Sequence, residues 1–255
     1  MILAADIGNT FITIGCVEGI DPVVSFRLKS DPYRTSLEYL VLLREMLEME
    51  GLSPDAFDGA IISSVALTLT AEIRKALARL IGKEPIIVGA GLKTGLNIRI
   101  DNPAQLGSDL AVGAVGAIGR YAAPIIIVDL GTATTFTVVD GQQRLRGGAI
   151  LPGARLSLEA LSDRAEQLPK IPLEAPKSCI CANTVDCMKS GAVFGAAAAI
   201  DGMIERIEAE LGEKATVVST GALADAIVPY CRREMVSDPD LLMRGLALIY
   251  SKNTK

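Results

Sequence analysis

Two aspartates, Asp6 and Asp129, occupy matching places in two short segments that are alike. Residues 5–10 read ADIGNT and residues 128–133 read VDLGTA, and β-branched residues follow each of them. In both, an apolar run predicts a strand that ends in an aspartate and a tight turn of glycine and small polar residues. The backbone N–H groups of such a turn can bind phosphate oxygens, and its carboxylate can hold a divalent cation or that cation's water ligands. The pair therefore predicts two half-sites for a nucleotide.

The spacing of the two aspartates indicates an internal duplication. Asp6 and Asp129 are separated by about half of the 255-residue chain, as expected if each copy carries one half-site. A single turn of this kind is more often purely structural, so the interpretation depends on the second copy. Together the two turns are typical of the actin, hexokinase and Hsp70 type of fold, in which two duplicated halves clamp ATP.

The order of the predicted elements agrees with that duplication. Each half begins with three strands and continues with helices, which predicts an α/β fold of two ribonuclease H-like halves, each with a mixed sheet flanked by helices. We place the halves at residues 1–118 and 119–255, and since no low-complexity linker separates them, we expect them to meet at a cleft. The predicted strands that open the halves are 2–6, 11–17 and 23–28 in the first and 125–129, 134–140 and 144–150 in the second. Helices are predicted at 105–118 and 221–230, and a last one begins at Asp240.

The composition of the chain limits the classes of function that we expect for it. The net charge is −5 and lysine and arginine form no cluster, which disfavours nucleic acid and anionic membranes and favours small-molecule ligands. No basic segment follows Met1 and no apolar run in the sequence is long enough to span a bilayer, so we expect a cytoplasmic protein. The chain has no histidine, which excludes Ser-His-Asp hydrolysis and histidine-ligated zinc. A general base must then be a carboxylate, lysine, cysteine or tyrosine.

The five cysteines predict reduced thiols rather than a disulfide framework, because their number is odd. Cys179, Cys181 and Cys187 lie close together in the sequence and raise the alternative of a metal cluster. The Cys-x-Cys spacing has no second pair to complete a metal site, so we interpret these residues as reduced, small apolar side chains.

One further segment carries a family resemblance. Residues 101–109 read DNPAQLGSD, which resembles the N-P-x-x-x-G-A-D-R segment of type III pantothenate kinases, a family of the same superfamily. The similarity continues in order and spacing over nearly the whole chain. The matching segments are 6–10 (DIGNT), 93–96 (KTGL), 129–135 (DLGTATT), 147–153 (GGAILPG), 183–184 (NT), 220–221 (TG) and 245–246 (GL).

The resemblance implies ATP-dependent phosphorylation of the primary hydroxyl of pantothenate, the first step towards coenzyme A, by a homodimer that uses Mg²⁺ and a monovalent cation, K⁺ or NH₄⁺. It implies that Asp109 is the general base and that Asp129 binds the monovalent cation. Such a division of labour suits phosphoryl transfer, which needs alignment and charge neutralisation more than covalent help. The other implied ligands are Asp6, Gly8, Asn9, Thr10, Thr13, Gly131 and Thr132 for ATP, with Asp6 also towards Mg²⁺, and Gly107, Ser108, Leu110 and Thr184 for the acceptor.

Several positions allow a second interpretation. Asp109 could simply be a carboxylate that stabilises a helix start, and Thr184 could be an N-cap. Leu110 replaces an arginine of the family motif, Ile100 a tyrosine and Thr137 an aspartate, and a leucine provides neither charge nor hydrogen-bond donors. Two alternatives therefore stay open: a kinase with a less polar acceptor, and a non-catalytic paralogue that retains nucleotide binding.

Overall fold

The chain folds into two compact units, as seen in a computed structural model that describes residues 1–254. Unit 1 comprises Met1–Leu96, Asp101–Arg120 and the segment that begins at Asp240. Unit 2 comprises Asn97–Ile100 and Tyr121–Pro239. The units thus interleave along the chain, because its last segment returns to unit 1. The division at residue 118, which concerns the two copies of a duplication, stays a prediction.

The secondary structure alternates short strands with helices. The strands are β1 (Ile2–Ile7), β2 (Phe11–Glu18), β3 (Asp21–Lys29), β4 (Gly59–Ser64), β5 (Ile86–Ile87), β6 (Asn97–Ile98), β7 (Ile125–Leu130), β8 (Ala133–Val139), β9 (Arg144–Pro152), β10 (Thr216–Thr220) and β11 (Val236–Ser237). The helices are α1 (Ser36–Met49), α2 (Leu67–Ile81), α3 (Ser108–Ile118), α4 (Ala154–Arg164), α5 (Thr184–Leu211), α6 (Ala224–Ile227) and α7 (Leu241–Asn253). Turns of 3₁₀ helix lie at Pro54–Ala56, Pro103–Gln105 and Val228–Tyr230.

The two sheets share one topology. The sheet of unit 1 has the order β3-β2-β1-β4-β5, and that of unit 2 has the order β9-β8-β7-β10-β11 with β6 added beside β9. In each, the first three strands along the chain are antiparallel, and the fourth runs parallel to the first. This repetition confirms the predicted α/β fold, with two duplicated mixed sheets flanked by helices.

Aliphatic side chains fill the cores on both faces of the first sheet and on one face of the second. In unit 1, α1 and α2 pack on one face of the sheet, and α3 and α7 pack on the other. In unit 2, the sheet packs against α5 with help from α4 and α6. Buried representatives of these three layers are Leu3, Leu43 and Leu77, then Ile61, Val112 and Leu246, and finally Val128, Val193 and Ile200.

Two predicted helices are shorter than expected. The helix predicted from residue 105 begins at Ser108, because Asn102 caps a separate turn through a hydrogen bond from Ala104 N–H to its Oδ1 (3.2 Å). The helix predicted at 221–230 contains only α6, because Gly221 has a φ of +94° and Pro229 cannot donate a backbone hydrogen bond. The two-residue strands β6 and β11 were not predicted, since so short a segment has no periodicity to recognise.

The helix α5 is long and apolar enough to cross a membrane by length and composition alone, with a mean hydropathy of 1.2 in its most apolar window. Core helices of soluble proteins pass the same test. Here the buried residues Val193, Ala197, Ile200 and Ile204 pack within the core of unit 2. One face of α5 therefore packs against the core of unit 2.

Candidate functional site

The first hairpin positions Asp6 at the end of β1. Asp6 pairs with Thr13 on β2 and with Ser63 on β4, so hydroxyl-bearing residues flank it on both neighbouring strands. The turn is fixed from within, because Gly8 N–H donates to the carbonyl of Phe11 (3.0 Å). It is also fixed by the residue after β3, since the Ser30 hydroxyl donates to the Gly8 carbonyl (2.7 Å). The turn residues Asn9 and Thr10 are exposed, as a phosphate-binding turn requires.

The second hairpin repeats this arrangement in unit 2. Asp129 lies one residue before the end of β7 and pairs with Thr135 on β8 and Thr220 on β10. Gly131 N–H donates to the carbonyl of Ala133 (2.9 Å), and the turn is one residue shorter than the first. The two aspartates thus hold equivalent positions in equivalent sheets, which is the local geometry that the duplicated sequence predicted.

Two glycines outside the hairpin hold the second turn in place. Gly153 N–H donates to the Thr132 carbonyl (3.0 Å), and a Cβ at Gly153 would collide with the carbonyl oxygens of Gly131 and Thr132. At Gly221, a Cβ would collide with Asp129 Oδ1 and with the backbone of Leu130. The sequence contains both glycines in family motifs, but their contact with this turn depends on long-range packing that no local pattern shows.

Replacing Gly221 with alanine should destabilise the protein by about 3 kcal/mol or more, because strain at positive φ adds to a backbone collision. Gly212→Ala is the matched control. Gly212 also has a positive φ, +76°, but a Cβ there meets nothing within 4 Å, so the strain of about 1–2 kcal/mol stands alone. Urea unfolding measures both free energies. Equal losses in the two variants would contradict the contact with Asp129.

A chain of hydroxyl groups positions the start of α3 in unit 1. The Ser108 hydroxyl bonds Ser63 Oγ (3.1 Å), accepts from Ser64 N–H (3.1 Å) and donates to the Ser64 carbonyl (3.0 Å). Ser63 is paired with Asp6 across the sheet, and Asp109 follows Ser108 directly. The structure therefore brings Asp6 and Asp109 to the same end of the first sheet. The hydroxyl of Ser108 thus fixes the start of α3. A contact between Ser108 and the acceptor substrate stays a prediction.

Asp109 lies in the first turn of α3, where its carboxylate is partly buried. Burial raises the pKa of this carboxyl above its usual 3.8, and hydrogen bonds from the N–H of Leu110 (2.9 Å) and from its own N–H lower the pKa only in part. A Cβ at Gly107 would collide with Asp109 Oδ1 and lie 3.8 Å from Leu110 Cγ. Both side chains therefore border Gly107, whose missing side chain leaves room for the carboxylate. A carboxylate with a raised pKa is a better proton acceptor near neutral pH.

Thr184 is exposed at the first position of α5. Asn183 is the N-cap: its Oδ1 accepts from Asp186 N–H (2.9 Å), and its amide donates to the Asp186 carboxylate (2.7 Å). The alternative interpretation of Thr184 as the cap of this helix is therefore wrong. Its contact with the acceptor stays a prediction.

The other two departures from the family motif lie in unit 2. Ile100 follows β6, and its Cγ2 would lie 3.7 Å from a Cβ at Gly147. Thr137 is buried in the middle of β8, paired with Ile127 and Gly148. Neither residue is part of the second hairpin turn, which lies between Leu130 and Thr134.

The acidic residues of the site are suited to binding Mg²⁺ in complex with a nucleotide. Among residues 1–254, no group of three or more His, Cys, Asp or Glu side chains is arranged to hold a metal ion. Mg²⁺ needs no such cage in kinases, since it keeps several waters and binds one or two carboxylates together with the phosphates. Asp6 fits that role. A half-open cleft of about 560 Å³ in unit 2, beside Arg144, Met203 and Arg206, is lined by none of the predicted site residues.

The duplicated sheets with an aspartate and a turn at each first hairpin define an α/β protein of the actin, hexokinase and Hsp70 class. Solved structures agree at the level of the fold. Component A of (R)-2-hydroxyglutaryl-CoA dehydratase from Acidaminococcus fermentans superposes with a TM-score of 0.58 and 14% identity, covering 99% of this chain and 98% of that one. Inorganic polyphosphate/ATP-glucomannokinase from Arthrobacter sp. strain KM gives 0.51 and 14%, covering 98% of each.

The family follows from sequence comparison. The model of the type III pantothenate kinase family matches residues 2–206. A type III pantothenate kinase from Exiguobacterium sp. (strain ATCC BAA-1283 / AT1b) is 40% identical over 255 residues, which cover 100% of both chains. The chain belongs to the type III pantothenate kinase family, as the motif around Asp109 indicated.

Proposed function

We propose that this kinase transfers the γ-phosphoryl group of ATP to the primary hydroxyl of pantothenate, with Asp109 as the general base. The main support for this role of Asp109 is its position in unit 1. A partly buried carboxylate of raised pKa is fixed at the start of α3, beside the end of the strand that carries Asp6. The family assignment supports the reaction, and nothing in it favours a non-catalytic role or a different acceptor.

In this mechanism Asp109 accepts the proton of the acceptor hydroxyl as the oxygen attacks the γ-phosphorus, and ADP leaves. The N–H of Leu110 holds one carboxylate oxygen, and in this proposal the other oxygen takes the proton. Asp6 would hold a divalent cation directly or through water, and that cation would neutralise charge on the phosphates. The turn that contains Gly8, Asn9 and Thr10 binds phosphate oxygens.

The finer assignments in unit 2 rest on the family resemblance together with the repeated hairpin. We propose that Gly131 and Thr132 contact ATP, that Asp129 binds K⁺ or NH₄⁺, and that Thr184 contacts pantothenate. The protein is proposed to act as a homodimer in the cytoplasm.

The direct test is the product. Purified protein with ATP, Mg²⁺, K⁺ and pantothenate should release ADP and give a pantothenate derivative heavier by one phosphoryl group, measured by mass spectrometry. Reactions without pantothenate give the background ATP hydrolysis. ADP release that pantothenate does not increase would reject the proposal, and the same assay with Na⁺ in place of K⁺ tests the cation.

The position of Leu110 beside Asp109 leads to a prediction about the pH dependence of the reaction. Because its side chain and the Asp109 carboxylate border the same glycine, Leu110→Arg should place a guanidinium beside the base and lower the pKa of Asp109. A base works only above its pKa, so the acidic limb of the kcat/KM profile should shift to lower pH. Leu110→Met, which adds no charge, should leave the limb in place. An unshifted limb in Leu110→Arg would show that the titrating base is not beside residue 110.

A further inference from the structure

Three cysteines surround the start of α5, and the proposed reaction uses none of them. Cys179 and Cys181 precede the helix, and Cys187 lies in its first turn. Cys179 and Cys187 are exposed, and Cys181 is half-buried. The thiol of Cys187 donates to the carbonyl oxygen of Cys181 at 3.3 Å, so the chain folds back and brings these two residues into contact.

This contact brings the pair close to disulfide distance. With ordinary C=O and Cα–C bond lengths, the Cys187 sulfur lies at most about 6 Å from the Cα of Cys181. The Cys181 thiol donates to the Ser178 carbonyl (3.1 Å), so bond formation requires its rotation away from that carbonyl and a movement on the order of 2 Å. Both residues stand in the exposed segment around the N-cap rather than in the core, which allows such a movement.

We propose that Cys181 and Cys187 form a reversible disulfide by exchange with a low-molecular-weight disulfide. The Cys187 thiolate attacks one sulfur of the disulfide, and the first thiolate leaves. The Cys181 thiolate then attacks the Cys187 sulfur of this mixed disulfide and displaces the second thiolate. The two protons lost by the cysteines pass to the two released thiolates. Two protein thiols are thus oxidised while one small disulfide is reduced.

The order of attack follows from the surroundings of the thiols. Desolvation raises the pKa of Cys181, and the neighbouring Cys187, Asp186 and Cys179 raise it further. Since the thiolate is the nucleophile, the exposed Cys187 reacts first and Cys181 resolves the mixed disulfide.

The remaining cysteines serve as internal controls. Cys179 is held by Ser190 of α5, whose hydroxyl donates to the Cys179 carbonyl (2.7 Å) and lies 3.9 Å from its sulfur. Burial raises the pKa values of Cys16 and Cys231 to about 12, so neither forms a reactive thiolate near neutral pH.

The disulfide has a consequence for the acceptor, which rests on the proposed contact of Thr184 with pantothenate. A bond between Cys181 and Cys187 closes a ring that contains both Asn183 and Thr184. We expect oxidation to raise the KM for pantothenate about fivefold with little change in kcat, since it alters binding rather than the base. Reduction should restore the KM.

The test uses the full-length protein with glutathione disulfide as the probe. After oxidation and alkylation, peptide mapping should find Cys181 linked to Cys187, with Cys179 alkylated and Cys16 and Cys231 still reduced. Cys181→Ser and Cys187→Ser should abolish the link, and Cys179→Ser is the matched control that keeps it. Lasting mixed disulfides, a link to Cys179, or no reaction would each overturn the proposed bond.

Mass mapping does not depend on kinase activity, so this proposal and the proposed function can fail separately. If the mapped disulfide forms and the KM for pantothenate is unchanged, the effect on the acceptor is wrong and the disulfide itself stands.

Discussion

Replacing Asp109 with asparagine is expected to lower kcat by about two to four orders of magnitude, the usual contribution of a general base. Asparagine has nearly the same shape, and its Oδ1 can still accept the hydrogen bond from Leu110 N–H that orients the carboxylate (2.9 Å). It cannot take the proton of the acceptor hydroxyl. The loss should therefore appear in kcat with little change in the KM for ATP, since the hairpin that carries Asp6 is untouched.

The same substitution should make the protein more stable at neutral pH. Burial raises the pKa of Asp109 in the folded state, while the unfolded chain keeps the ordinary value near 3.8. Above the folded pKa the carboxylate is charged in both states, and the folded state bears the cost of burying that charge. As the pH falls through the folded pKa, the folded protein takes up the proton first and this cost disappears. The stabilisation by Asp109→Asn should therefore be present at pH 7 and fade as the pH falls towards 4.

Asp225→Asn is a matched control, because Asp225 is also a carboxylate in the first turn of a helix, α6, but is exposed. It should leave kcat unchanged. Steady-state kinetics and thermal melts between pH 4 and 8 measure both effects. Full turnover in Asp109→Asn would remove this residue from the mechanism, and the family activity would then need another base.

Much of the fold could be predicted because local sequence patterns determine it. The strands around Asp6 and Asp129 alternate or run apolar, each turn contains a glycine, and the two halves repeat the same order of elements. The equivalent positions of Asp6 and Asp129 in two sheets of one topology follow from that repetition. Where a pattern was interrupted, the prediction was less accurate, as at the 3₁₀ turn that delays the start of α3 until Ser108.

The candidate site was predictable only in part, because its precision comes from contacts between distant parts of the chain. The motif identified Asp109, but nothing near it in the sequence shows that the Ser108 hydroxyl is bonded to β4, or that Gly221 lies against Asp129. Glycines are the clearest case. A motif shows that a glycine is present, and only the packed structure shows which backbone it approaches.

The second prediction with a large expected effect concerns α3, the helix that contains Asp109. At Gly116 of α3, a Cβ would collide with the carbonyl oxygen of Leu241 and lie 3.2 Å from the backbone nitrogen of Gly245 in α7. Gly245 in turn lies against the backbone of Val112. The two helices therefore touch backbone to backbone, which explains why the final segment of the chain belongs to unit 1 and why a glycine is required at position 245.

Gly116→Ala should cost about 2–4 kcal/mol of stability, because the added methyl group meets backbone atoms that cannot rotate away. Gly113→Ala in the same helix is the matched control. A Cβ at Gly113 meets nothing within 4 Å, so this variant should gain up to about 1 kcal/mol from the higher helix propensity of alanine. Urea unfolding of the two variants measures the difference. Equal stabilities would mean that α3 and α7 do not touch in this way.

The kinetic effect of Gly116→Ala tests whether this contact positions the base. Position 116 is about two turns of helix from Asp109, and a helix moves largely as one body, so a shift of α3 away from α7 should displace the carboxylate as well. A misplacement on the order of 1 Å costs about 10²-fold in rate. We therefore expect kcat to fall in the folded Gly116→Ala protein at low temperature and to stay normal in Gly113→Ala. Loss of stability with normal kcat would show that α3 adjusts locally, and that the hydroxyl network of Ser108 alone positions Asp109.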